Sequence, residues 1–138
     1  LRYKGPPNKQ DEVFRLSTRT LAEPEGNKTF QLDLQRWNES DVWEPLAFDT
    51  FCRDADPDRL TLVYVHGYGF DEEKANRTGW AFYHAFCRTD LPRRPIRYVI
   101  WSWPTTQKRF RPTRDLADKA LRADADAYYL AHMLTRLK

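Results

Sequence analysis

A mixed α/β sandwich is predicted by three features of this 138-residue chain. Two nearly unbroken apolar runs, Leu60-Thr61-Leu62-Val63-Tyr64-Val65 and Tyr98-Val99-Ile100-Trp101-Ser102-Trp103, have the β-branched and aromatic content of strands buried on both faces. Each run is followed by a segment of helical periodicity, an order that builds a parallel sheet through right-handed crossovers. Upstream, two shorter segments flank a turn cluster and predict an antiparallel edge to the same sheet. Composition sets the frame: 41% hydrophobic and 31% charged residues suit about one globular domain. Every apolar run is shorter than the roughly 18 residues of a membrane span, and the start shows no basic, apolar leader. The sequence is therefore read as soluble.

Taken in order, Gly5-Pro6-Pro7-Asn8 makes an irregular entry. Residues 13–18 and 30–35 are the first predicted strands. The second alternates Phe30, Leu32 and Leu34 with Gln31, Asp33 and Gln35, the period of a half-solvated antiparallel strand. Glu23-Pro24-Glu25-Gly26-Asn27 between them predicts a hairpin or a broad meander. Residues 37–58, with Trp43, Phe48 and Phe51 among many acids, read as a mostly irregular connection holding one more short strand. Residues 60–65 are expected to be a central, parallel strand. That strand runs into His66-Gly67-Tyr68-Gly69-Phe70, and an Asp71 N-cap with acids at 72 and 73 then opens a helix. This helix carries Trp80, Phe82, Tyr83 and Phe86 and is expected to end near residues 89–92. Residues 98–103 form the next buried strand, stopped by Pro104. Finally Leu116, Ala120, Ala123, Ala127, Leu130, Leu134 and Leu137 recur at intervals of 4, 3, 4, 3, 4 and 3, predicting an amphipathic helix with Asp115–Lys119 and Asp118–Arg122 pairs on its outer face. That helix lacks the strand that would return it to the sheet, and the chain starts with Leu1. It reads as a piece of a longer chain, with residues 1–58 supplying edge strands and connection and 59–138 a strand-helix-strand-helix core.

The net charge of +3 is unevenly spread. Residues 11–58 hold twelve acids against five Lys/Arg, and residues 88–114 hold eight Lys/Arg against Asp90 alone. Lys108-Arg109-Phe110-Arg111 could grip phosphates, but no nucleic-acid-binding motif accompanies it, and a solvated loop docked on the acidic half explains it as well. Nucleic acid is not an expected partner. Cys52 and Cys87 are too few and too far apart for a disulfide scaffold or thiolate metal site and read as two partly buried thiols, a bridge or a reactive thiol being the alternative. Sequons at Asn27, Asn38 and Asn76 decide nothing about compartment.

Gly67-Tyr68-Gly69 is the one glycine-rich turn between a strand and a helix. It begins like a dinucleotide fingerprint, but the third glycine position is Glu72, a carboxylate that would repel a pyrophosphate, and no P-loop lysine follows. No cofactor is expected. Such a turn can instead present backbone N–H groups at the carboxyl end of a strand, which suits an oxyanion hole. Glycines at 67 and 69 free the backbone there, and His66 is expected to brace the loop by hydrogen bonding rather than act as a general base. His84 and His132 offer no metal-ligand spacing. A nucleophile is missing: of Ser17, Ser40 and Ser102 none lies in G-x-S-x-G. Ser102 reads as a sheet residue. Trp101 and Trp103 share the opposite face, expected under a helix, and are candidate pocket walls.

The segments Leu62-Val63-Tyr64-Val65-His66-Gly67-Tyr68 and Val99-Ile100-Trp101-Ser102-Trp103-Pro104, with the helices after Asp71 and Asp115, together resemble the amino-terminal half of α/β-hydrolases. The likeness is to a bacterial branch that shares a V-H-G-[YF] loop and an S-W-P motif, and it covers residues 60–138. It implies a partial three-layer α/β-hydrolase sandwich in which Tyr68 donates an oxyanion-hole N–H. It also implies a G-x-S-x-G elbow beyond Lys138, with the acid and histidine of a catalytic triad farther on. The chain departs from the branch at Gly69, where a polar residue is common, and at Asp71, where a small hydroxyl residue is frequent. The resemblance implies a serine hydrolase acting on a small ester or related acyl substrate, with residues 1–138 inactive alone. The alternative is a noncatalytic binding domain using the basic 88–114 segment or the Trp101/Trp103 surface.

Overall fold

The computed structural model describes residues 5–21, 31–88, 94–105 and 112–137, with side chains of the last stretch placed from residue 117 onward. The turn at 23–27 with its Asn27 sequon, Phe30, Arg93, the Lys108-Arg109-Phe110-Arg111 loop, and the side chains of Arg114, Asp115 and Leu116 lie outside the described residues. The elements are β1 (Glu12–Ser17), β2 (Asp33–Trp37), β3 (Trp43–Pro45), α1 (Phe48–Arg53), β4 (Leu60–Val65), α2 (Glu72–Cys87), β5 (Ile96–Ser102) and α3 (Pro112–Arg136).

The strands form one mixed sheet in the order β3-β2-β1-β5-β4. β1 and β2 are antiparallel, with Leu16 opposite Leu34. β1 and β4 both run parallel to β5, whose Val99 lies opposite Phe14 on one side and Val63 on the other. The expected antiparallel start and parallel strand-helix-strand unit are present, but two placements differ. β1 sits inside the sheet between β2 and β5, so the edge is β2–β3. β4, expected at the centre, is the outer strand among those described, with Leu60 54% and Val65 48% exposed. Its unbroken apolar run has the composition of a strand flanked on both sides, yet β5 is its one described neighbour.

Alternate residues of β5, all buried, feed two apolar layers. Val99 and Trp101 pack with Phe14, Leu16, Phe51 of α1, and Tyr129 and Met133 of α3. Tyr98 and Ile100 pack on the other face with Val13, Trp80 and Tyr83 of α2. Helices therefore cover both faces of the sheet. Helix α2 starts at Asp71, whose Oδ1 accepts the Lys74 N–H at 2.7 Å. It lies close on β5 because Gly79 has no side chain: a Cβ there would stand 2.8 Å from Ile100 Cγ1 and Cγ2. Tyr98 Oη donates to the Gly79 carbonyl across the same approach, 2.9 Å. Phe82, on the outer side of α2, is 59% exposed.

Helix α1 falls in the connection read as irregular. Its anchor is Phe51, fully buried edge-on against Phe14 at 4.9 Å, a tertiary contact that no local period reveals. Helix α3 is where expected but turned about its axis. Its buried positions are Ala125, Asp126, Tyr129 and Met133, while Ala120, Ala127 and Leu134 of the alternating stripe are exposed. The offset is one residue, about 100° of helix rotation. It arises because Arg122 and Asp126 turn inward to bond the end of β1. Arg122 thus pairs with Asp126 at 3.0 Å rather than with Asp118.

Candidate functional site

β1, β4 and β5 are parallel, so their carboxyl ends lie at one margin of the sheet, where open α/β sheets bind ligands. Ser17-Thr18-Arg19 leaves β1, the His66-Gly67-Tyr68-Gly69-Phe70 loop leaves β4, and Ser102-Trp103-Pro104-Thr105 leaves β5. The three segments are tied together by polar contacts.

His66 is 3% exposed, and its partners define its state. Nδ1 lies 2.9 Å from the Gly67 carbonyl, which can only accept, so Nδ1 carries the proton. Nε2 then accepts the Trp103 backbone N–H at 3.2 Å and faces Arg19 Nη2 at 3.4 Å. The ring is stacked between Phe70 and Trp103, centroids 5.2 and 6.1 Å away. Burial holds this imidazole below its usual pKa; the Gly67 carbonyl opposes the shift and the Arg19 charge adds to it. While the loop holds this form, His66 has no free lone pair to act as a general base.

Thr105, fully buried, is the second fastener. Its carbonyl accepts the Gly69 N–H at 3.0 Å and its Oγ1 accepts the Phe70 N–H at 3.2 Å. The single hydroxyl proton serves the Gly67 or the Phe70 carbonyl, at 3.2 and 3.1 Å. Trp103 Nε1 donates to the His66 carbonyl at 2.9 Å. Gly69 has φ 78°, in the left-handed region that favours glycine, whereas Gly67 has no such φ and a Cβ on it would meet nothing within 4 Å. The expected backbone freedom is needed at 69 and not at 67. Tyr68 stands at the tip, 41% exposed.

Arg19 links all three strand ends. Its Nε donates to Ser102 Oγ at 2.8 Å and its Nη2 to the Phe70 carbonyl at 3.0 Å. Burial draws the guanidinium below its usual pKa, against the pull of Glu72, Asp71 and Asp126. Behind it, Thr18 Oγ1 donates to Asp126 Oδ1, and Arg122 bonds both Asp126 Oδ2 and the Thr18 carbonyl, the latter at 2.7 Å. Burial raises the Asp126 pKa, opposed by Thr18 and Arg122. Sequence reasoning missed Arg19, Thr105, Thr18 and Asp126. The one usable signal was Asp126 four residues after Arg122, a buried-pair spacing as good as the exposed one assigned to Asp118.

Chemically, this is a rigid loop without a nucleophile among the described residues. Ser102 is 1% exposed with its Oγ on Arg19, Ser17 is buried beside it, and Ser40 lies in the turn between β2 and β3. Trp101 is 1% exposed and part of the core, so it is not a pocket wall; Trp103 is half-buried and serves the loop. Arg97, counted in the basic segment, is 2% exposed, with Nη2 on the Phe51 carbonyl at 2.7 Å and Nε 3.6 Å from Glu12. It is withdrawn from any binding surface. Cys52 and Cys87 are not disulfide-bonded and pack against opposite faces of the sheet. Asn76 is buried in α2, and Asn38 Oδ1 accepts the Ser40 and Val42 N–H groups in a turn.

A cleft of about 680 Å³ lies at the opposite margin, lined by Lys9, Glu12, Arg36, Asp41 and Glu44 among others. Its Arg36 and Glu12 pair with each other at 2.9 Å. The rest of its charged lining is mostly acidic, and the loop margin is the better candidate because many of its groups converge on backbone. No described helix is long and apolar enough to cross a membrane. Comparison with family models, with curated proteins and with solved structures finds no match, so the reading of the site rests on its own geometry.

Proposed function

We propose that this chain is the amino-terminal portion of a serine hydrolase of the α/β-hydrolase type, acting on carboxylic ester or related acyl bonds. In this reading the 66–70 loop supplies one half of an oxyanion hole, through the Tyr68 N–H. The serine, acid and histidine of the triad lie beyond Lys138. The observation that carries the reading is the double fastening of the loop. His66 and Thr105 together hold residues 67, 69 and 70, on either side of Tyr68 in the chain, with Tyr68 at the exposed tip. Oxyanion donors work because they need no reorganisation as charge develops, and a loop pinned on both flanks of its tip meets that requirement. Among the described residues β4 has one strand neighbour, which supports the reading further, since its other side suits pairing with an additional parallel strand.

The test is made on the protein carrying the sequence that follows Lys138. A G-x-S-x-G within about 20 residues, labelled by a fluorophosphonate and silenced by Ser→Ala, is the expected result. Tyr68→Pro, which removes the proposed donor, should then lower kcat about 10²–10³-fold in a folded protein. Continuation without such a serine, or full activity in Tyr68→Pro, sinks the proposal.

A further inference from the structure

We propose that His66 is an acid-released latch: the 66–70 loop stays closed only while the ring is neutral with its proton on Nδ1, and a second proton opens it. The geometry leaves no room for that proton. Nε2 is the acceptor for the Trp103 N–H and stands 3.4 Å from a nitrogen of the Arg19 guanidinium. Protonating Nε2 sets one donor against another and places two cations side by side at a 3%-exposed ring. Nδ1 offers no escape, since its proton is already held by the Gly67 carbonyl. The ring cannot gain charge and keep its partners.

The charged groups around the ring do not reverse this. From the segment after β1 comes Arg19, a cation. From α3 come Arg122 and Asp126, which face Thr18 and each other rather than the ring. From the start of α2, Asp71 and Glu72 act on Arg19, while Lys74 sits over the Phe70 ring at 4.3 Å. The end of β5 and the segment after it present the uncharged Ser102, Trp103 and Thr105. Among the described residues no carboxylate bonds the imidazole, so protonation is answered by opening. Because the ring stacks on Phe70 and abuts Thr105, opening also releases the Gly69 and Phe70 N–H groups from Thr105. The loss of an oxyanion hole in acid rests on the acyl-hydrolase reading, whereas the latch itself stands on these hydrogen bonds and is tested without substrate.

Amide hydrogen exchange of the 138-residue chain, corrected for intrinsic rates, reads the latch directly. Protection of the Gly69 and Phe70 amides should be flat above about pH 6.5 and fall by up to about tenfold per pH unit below it. The Val99 amide, in the core of β5, should hold its protection over the same range. In His66→Gln, which can still accept from Trp103 but does not titrate, the pH dependence at 69 and 70 should vanish. Ring ¹⁵N shifts of His66 at about pH 7.5, above the ordinary imidazole pKa, should show a protonated Nδ1 and a bare Nε2. This measurement with the Val99 comparison decides the matter if His66→Gln does not fold. Flat protection at Gly69 and Phe70 down to about pH 5, well below that pKa, parallel loss at Val99, the opposite tautomer, or an unchanged profile in His66→Gln would each overturn the latch. None of these outcomes touches the serine-labelling test, so either idea can fail alone.

Discussion

The two margins of the sheet are both polar, and they use polarity differently. At the carboxyl ends of β1, β4 and β5, many of the contacts are hydrogen bonds to backbone: His66 to Gly67 and Trp103, Thr105 to Gly69 and Phe70, Arg19 to Phe70. At the amino ends a cluster of the contacts is between charges. Glu12 alone takes Arg36 at 2.9 Å, Arg59 at 3.0 Å and Arg97 at 3.6 Å. Arg97 lies with its guanidinium over the Phe51 ring at 4.2 Å, and its buried Nε and Nη1 have no hydrogen-bond acceptor among the described residues. One margin shapes a loop; the other anchors α1 and the strand starts to one another. Bonds to backbone fix conformation, whereas a shared carboxylate fixes only proximity, which is why the carboxyl margin is the place to look for chemistry.

The largest effect should come from the scarce anion. Glu12→Ala strands Arg97 among the phenylalanines and removes a partner of Arg59. A loss of about 2–3 kcal/mol by urea unfolding is expected, the buried-pair figure reduced for the 20% exposure of Glu12. A loss below about 0.5 kcal/mol, the level of an exposed pair, would show that the three arginines do not depend on it. At the other margin Thr105→Val keeps the shape but takes away the acceptor of the Phe70 N–H. It should cost about 1–3 kcal/mol, the usual penalty for an orphaned buried donor. Amide exchange at Phe70 should rise by more than exchange in the core of β5. Equal loosening of both, with no local excess at Phe70, would mean that Thr105 is only a core residue.

How much of this was legible in the sequence differs between the same two margins. β5, the Asp71 cap and the loop at 66–70 all follow from local pattern, because strand composition, N-cap chemistry and a glycine at a left-handed φ act over a few residues. The fasteners of the loop do not. Thr18 reaches Asp126 across 108 residues, and Arg19 reaches Ser102 across 83. Nothing near Arg19 in the chain marks it as the residue that joins three strands. The rotation of α3 was hidden for the same reason: two polar residues face inward because Thr18 meets them there, so the apolar stripe misstates the buried face. β4 misled in the opposite sense, its composition asking for a neighbour on each side where one is described.

At the amino margin, Arg97→Met should change stability by less than about 1 kcal/mol. The methionine fills the space between Phe14 and Phe51, Glu12 keeps Arg36 and Arg59, and the desolvation cost of a buried cation disappears. Against that, the bond to the Phe51 carbonyl, the 3.6 Å pair with Glu12 and the cation–ring contacts are lost. A penalty matching that of Glu12→Ala would mean that the charge of Arg97, and not its stem, holds α1 in place.

Asp126 should give the smallest effect, and its sign separates the carboxyl margin into two parts. Its carboxyl is raised in the folded protein, burial outweighing Thr18 and Arg122. The folded state therefore binds more protons than the unfolded chain just above the ordinary aspartate pKa of about 3.9, and stability from this group is lost as pH rises through that window. His66 runs the other way: with a lowered pKa, its contribution is complete above about 6.5 and is lost as pH falls. Asp126→Asn should thus gain on the parent chain between about pH 4 and 6, by no more than about 1 kcal/mol in urea midpoints converted at constant slope. If the variant instead loses ground as pH rises, the Arg122 and Thr18 bonds outweigh burial. The support behind Arg19 would then be ionic, like the amino margin, rather than a desolvated hydrogen-bonded prop.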